Sequence, residues 1–75
     1  MNVVGPQVKT ARTRAGLTQA DLAARLEIRG IKIDRAGVAK IEGGRRQVSD
    51  VELVALADAL GVSAASLLEG PPSAT

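Results

Sequence analysis

Apolar side chains recur at spacings of three and four along most of this 75-residue chain, the spacing that places residues on one face of an α-helix. Val4, Val8, Ala11 and Ala15 form the first such stripe; Pro6 suits a first helical turn and Gly16 a stop, so a helix is expected up to Gly16. Thr18 is a good cap, with the carboxylate of Asp21 near the positive end of a second helix whose inward face carries Leu22, Ala23 and Leu26. Asp34 caps a third helix with Val38 and Ile41 inward and Gly43 and Gly44 as its stop. Ser49 and Glu52 have the spacing of a capping box for a fourth, in which Leu53, Leu56, Ala57 and Leu60 share a face before Gly61. Ser63 caps a last short helix ending in Leu67 and Leu68. Between Glu27 and Ile33 the alternating isoleucines would also suit a strand, but one strand has no partner here. That stretch is read as an extension of the second helix followed by a connection.

Composition narrows the functions open to this all-α chain. A chain this short buries only about 60% of its unfolded surface, which supports one small core and no second catalytic domain. Without Phe, Tyr or Trp, the core is aliphatic and no aromatic platform exists for stacking single-stranded bases. Without Cys or His, thiolate and imidazole catalysis, disulfides and most metal sites are excluded. No cofactor or metal is expected, and no His or Cys is present to activate a serine or threonine, three of which (Thr18, Ser49 and Ser63) are caps. An enzyme is therefore the disfavoured class. No apolar run reaches the length of a membrane span and no signal peptide precedes the first helix, so a cytoplasmic protein is expected. Gly70 to Thr75 lack large apolar side chains and are expected to form a disordered tail after a domain spanning residues 4–69.

The net charge of +2 is unevenly placed. All ten basic residues lie within residues 1–46 against four acidic ones, a net +6, whereas residues 47–75 carry four acidic residues and no basic one, a net −4. Such asymmetry implies a basic face turned toward a polyanion and an acidic end turned away, against the alternative of ordinary solvated helix faces.

Taken in order, Val4-Gly5, Val8, Arg12, Gly16-Leu17-Thr18-Gln19, Leu22-Ala23, Leu26, Val38, Ile41-Glu42, Gly44, Arg46, Leu53, Leu56-Ala57, Ala59-Leu60-Gly61-Val62-Ser63 and Leu67-Leu68 resemble the helix-turn-helix domain of the phage lambda repressor and Cro superfamily. The resemblance runs from about residue 4 to residue 69. It implies five helices, the second crossing the DNA backbone and the third entering the major groove. It also implies a bacterial or phage transcriptional regulator that binds duplex DNA sequence-specifically, as a weak homodimer or a dimer formed on the DNA. The alternative on the same scaffold is a protein-interaction module, antitoxin-like or an assembly subunit. Two features depart from the family pattern. The connection between helices 2 and 3, containing Arg29, Gly30 and Lys32, is enlarged by about five residues, and Gly37 stands where a polar groove-side residue is usual. Glycine weakens a helix by about 1 kcal/mol relative to alanine, and Gly37 and the long connection together favour the interaction-module alternative.

Site roles follow from the third helix. With Asp34 as cap and Val38 and Ile41 inward, Arg35, Ala36 and Lys40 fall on the opposite side, and the N-terminal pair is placed to meet base edges. Arg35 has the planar fork that can bond guanine O6 and N7, and Ala36 can pack on a thymine methyl. Lys40, a turn further on, can reach a base or a phosphate. Gln19, at a helix start with free N–H groups, is expected on a phosphate, and so are Arg45 and Arg46 by family position. The resemblance also implies that Arg12 and Glu42 form an ion pair largely removed from water, structural in role, whose loss would abolish DNA binding without either residue touching DNA.

Overall fold

Local polar contacts start four of the five helices. The computed structural model describes residues 4–69, and these form α1 (Val4–Arg14), α2 (Gln19–Ile28), α3 (Arg35–Glu42), α4 (Asp50–Leu60) and α5 (Ala64–Leu68). Before α2, the Asp21 N–H donates to Thr18 Oγ1 at 3.0 Å while the Thr18 N–H donates to the Asp21 carboxylate at 2.9 Å, a complete capping box. Ser49 and Glu52 make the same reciprocal pair before α4. Asp34 accepts the Gly37 N–H at 2.8 Å and Ser63 the Ser66 N–H at 3.1 Å, starting α3 and α5. Each cap satisfies an N–H that would otherwise lack a partner in the first turn. The tail expected over residues 70–75 lies outside the described residues.

The core collects one stripe from each helix. Val8 of α1, Leu22 and Leu26 of α2, Val38 and Ile41 of α3, Leu56 of α4 and Leu67 of α5 are all essentially removed from solvent. Burying a side chain of this size contributes roughly 1.5–3 kcal/mol, so these aliphatic groups support the fold without aromatic residues. α3 packs against α1 and α2, while α4 packs against α1, α2 and α5. At Gly5, α1 comes so close to the end of α3 that a Cβ there would collide with the Ile41 carbonyl oxygen.

Two details differ from the pattern reading, and two large apolar side chains stay on the surface. Ala15 lies beyond the end of α1 and is exposed. Leu53 is only partly buried whereas Ala55 and Ala59 are buried, because α4 is enclosed by three helices rather than resting one stripe on a single neighbour. Leu68 is exposed. Ile28 is 82% exposed, since two residues past Leu26 a helix has turned away from its buried stripe.

The enlarged connection is built rather than loose. Gly30, at φ +81°, adopts the left-handed conformation that glycine takes without a Cβ penalty. Its N–H donates to Glu27 O at 2.9 Å and the Ile31 N–H to Leu26 O at 3.0 Å, the double bond pattern that closes a helix C-terminus. The Arg29 guanidinium donates to Asp58 Oδ2 on α4 at 2.5 Å and to the Arg25 carbonyl at 2.9 Å, and Arg25 reaches Ala59 O at 3.1 Å. Ile31 then packs on the core and Ile33 enters it, only 5% exposed. Ile33 sits directly against the first turn of α3: a Cβ at residue 37 would lie 2.7 Å from Ile33 Cγ2 and 3.2 Å from Asp34 Oδ1. The two departures from the family pattern, the longer connection and Gly37, are thus one packing arrangement.

Candidate nucleic-acid interface

Because Val38 and Ile41 are buried, the opposite side of α3 is free. Arg35, Ala36 and Lys40 are exposed there and line an open cleft whose other wall is α2, at Ala20 and Ala24. Alanines on that wall leave the cleft wide. Arg45, in the turn after α3, lines it too. The side chains of Arg35, Lys40 and Arg45 make no hydrogen bond or ion pair with other described residues, so their charges remain available to an external anion.

The remaining expected site residues are otherwise engaged. Arg12 Nε donates to Glu42 Oε2 at 2.6 Å and its second amino nitrogen to Oε1 at 3.1 Å, a bidentate pair with side chains 14% and 4% exposed. The first amino nitrogen donates to Leu17 O at 2.8 Å, joining α1, the turn before α2 and the end of α3. Hydrogen bonding to Glu42 pushes the Arg12 pKa upward, against the opposing effect of burial. Gln19, expected on a phosphate, donates its amide to Glu42 Oε1 at 3.1 Å and is part-buried. Glu42 therefore accepts from both helices that flank α3, which fixes how α3 is presented.

The adjacent arginines diverge. Both line the cleft, but Arg46 also makes two bonds to Glu52, at 3.2 and 3.0 Å. Glu52 simultaneously accepts the Ser49 N–H at 3.0 Å, so Arg46 reinforces the α4 cap. The Arg46 hydrogen bonds and then the Ser49 N–H hold the Glu52 carboxyl below its ordinary pKa, and the same contact raises that of Arg46. Together with Arg29–Asp58, this pair modifies the charge picture, since part of the basic excess in the first half is neutralised by acids of the second.

One cation that the sequence reading left unassigned shares the cleft. Lys32, in the connection, lines it with Arg35, Lys40 and Arg45, and its ammonium makes no bond to other described residues. The pattern Ile31-Lys32-Ile33, with both isoleucines turned inward, is the signal that could have placed it. Among the described residues, no group of acidic side chains could hold a metal ion, and no helix is long and apolar enough to cross a membrane.

An eight-residue capped helix with its outer face open, preceded by a helix that packs on it and fixed by an Arg–Glu pair from the first helix, is the arrangement of a helix-turn-helix module. A family model described as a helix-turn-helix domain matches residues 4–69, and the chain belongs to that family. Among solved structures it is similar to the restriction-modification controller protein C.AhdI from Aeromonas hydrophila, with a TM-score of 0.75 and 35% sequence identity over 88% of this chain and 92% of that one. No curated protein matches the chain.

Proposed function

We propose that this chain is a DNA-binding transcription regulator that inserts α3 into the major groove of a specific duplex site. The observation that carries the reading is the convergence of Arg35, Lys40 and Arg45, all without partners among the described residues, on the outer side of α3 and the turn after it in a chain of the helix-turn-helix family. Arg35, first residue of α3, reads a guanine edge through its two-nitrogen fork, with Ala36 beside it for a thymine methyl. Lys40 reaches a base or phosphate further along the groove, and Arg45 neutralises a backbone phosphate. Gln19 contributes through its position at the start of α2, where backbone N–H groups face outward, while its amide orients Glu42. Arg46 holds the α4 cap through Glu52 and lines the same cleft, where it is a second phosphate contact in this reading. The likeness to a restriction-modification controller protein supports regulation of transcription by operator occupancy.

The interaction-module alternative drew its weight from Gly37 and the long connection, and the close packing of Ile33, in that connection, on Gly37 supplies another reason for both. The test of the DNA reading is a pair of titrations, one on a duplex selected from a random library and one on a scrambled duplex. Arg35→Ala is expected to cost roughly 1–3 kcal/mol on the selected duplex and to flatten preference at one base position. Arg45→Ala is expected to weaken both duplexes alike and to reduce the salt slope by about 0.9. Equal losses on both duplexes for Arg35→Ala would remove base reading by this side chain. A two-fold symmetric selected motif would report dimeric binding.

A further inference from the structure

We propose that Lys32 is a DNA-backbone contact supplied by the enlarged connection, placed to neutralise a phosphate before α3 as Arg45 does after it. The inference rests on the DNA-binding reading and adds a second anchoring point to it.

The cations of this chain divide by what they touch. Arg12, Arg25, Arg29 and Arg46 donate to carboxylates or carbonyls of the fold. Of those with no such partner among the described residues, Lys32, Arg35, Lys40 and Arg45 share one cleft, whereas Lys9 and Arg14 do not line it. Nothing in the fold requires a cation at position 32, and its charge is exposed.

Its position is nevertheless held. Arg29, bonded to Asp58, ties one end of the connection to α4, and Asp34, bonded to the Gly37 N–H, ties the other to α3. Ile31 and Ile33 turn inward on either side, so residue 32 turns outward on a fixed stretch of backbone. Only the side chain remains to be ordered on binding, which lowers the entropic cost of the contact.

The order along the chain also fits. Lys32 precedes α3 and Arg45 follows it, so the two cations flank the eight-residue helix proposed to enter the groove. An ammonium on a flexible stem suits a phosphate as a point charge and carries no bidentate base-reading geometry. Glu27 shares the cleft, but on the α2 wall, and makes no ion pair with Lys32. The Asp34 carboxylate is directed at the α3 cap.

The experiment measures Kd on the selected and scrambled duplexes as a function of salt for the full chain and for Lys32→Gln, Lys32→Arg, Arg45→Gln and Lys9→Gln. Loss of one phosphate contact reduces the slope of log K against log salt by about 0.9, so the affinity advantage of the unaltered chain over Lys32→Gln should shrink about threefold between about 50 and 200 mM salt. The loss should be equal on both duplexes, Lys32→Arg should restore the slope, and Lys9→Gln should leave it unchanged. If Arg45→Gln lowers the slope and Lys32→Gln does not, the Lys32 contact is overturned while the DNA reading stands. If Lys9→Gln lowers it as much as Lys32→Gln, the effect is one of overall charge and the contact is likewise overturned. Failure of the unaltered chain to bind any duplex at low salt overturns the DNA reading itself, and this inference with it.

Discussion

Replacing Gly37 by alanine sets a local rule against a tertiary contact. By helix propensity alone, Gly37→Ala would stabilise α3 by about 1 kcal/mol. The added Cβ, however, would lie 2.7 Å from Ile33 Cγ2 and 3.2 Å from Asp34 Oδ1, well inside the 3.5–4.0 Å at which carbon atoms pack best. Ile33 cannot yield easily, since it is 5% exposed and a β-branched side chain has little χ1 freedom. Overpacking of this kind costs about 1–3 kcal/mol. Displacing Asp34 from the Gly37 N–H adds part of the 0.5–2 kcal/mol typical of a lost cap. The clash and cap terms exceed the propensity gain, so a net loss of about 1–3 kcal/mol is expected, a fall of roughly 5–20 °C in Tm for a domain of this size. Ile33→Leu removes the γ-branch while keeping the volume, at a cost expected below about 1.5 kcal/mol. In that background Gly37→Ala should become neutral or stabilising. Urea and thermal melts of the four proteins give the coupling directly. A Tm raised by Gly37→Ala in the unaltered chain, or the same effect in both backgrounds, would refute the claim that this glycine is set by Ile33.

Three further outcomes follow from the ion pairs and the cap of α4. Glu42→Ala, which leaves Arg12 part-buried without its carboxylate and Gln19 without its acceptor, should cost about 3–5 kcal/mol, whereas Glu69→Ala at an exposed position should stay within about 0.5 kcal/mol; calorimetric melts that coincide would deny the pair its structural role. Glu52 and Asp21 both have folded-state pKa values below their ordinary ones, through the Arg46 contact and the Thr18 N–H respectively. The unfolded state therefore binds more protons in acid, so their stabilisation is complete above the ordinary carboxylate value of about 4.3 and is lost as pH falls through the lowered folded values. Tm should be level from pH 7 to about 5 and fall below that, and Glu52→Gln should reduce the fall; a Tm unchanged down to pH 3 would contradict this. Asp58→Asn should leave α3 and its base preference intact while weakening the tie on Arg29, seen as faster amide exchange at residues 29–33 with unchanged exchange at Val38 and Ile41.

What could be read from sequence alone was what sequence neighbours decide. The caps at Thr18, Asp34, Ser49 and Ser63 act over three residues, so the spacing contained the whole interaction and the helix starts followed. Gly30 ends α2 by the same local chemistry that closes α1 at Gly16, with a glycine N–H and the next residue's N–H turned back on the last helical carbonyls, and it was missed because the isoleucines around it suited other patterns. The inward faces of α2 and α3 were readable, and so were Leu56, Ala57 and Leu60 of α4, but burial of Ala55 and Ala59 was not, since enclosure by three helices widens the buried face beyond a single stripe.

The candidate site divides along the same line. Arg35 and Lys40 were placed by helical phase relative to Val38 and Ile41, a relation internal to α3. Arg45 and Arg46 could not be told apart, because their difference depends on where α4 presents Glu52 after the turn. Gln19 was likewise open until Glu42, 23 residues away, came within 3.1 Å. Counting charge overstated the basic face for a related reason: Arg29 and Arg46 meet Asp58 and Glu52 across the fold, and a cation already paired has less to gain from a phosphate. The surface that attracts a polyanion is therefore defined less by where arginines and lysines are frequent than by where the fold offers them no carboxylate. By that criterion the enlarged connection, through Lys32, belongs to the same face as α3.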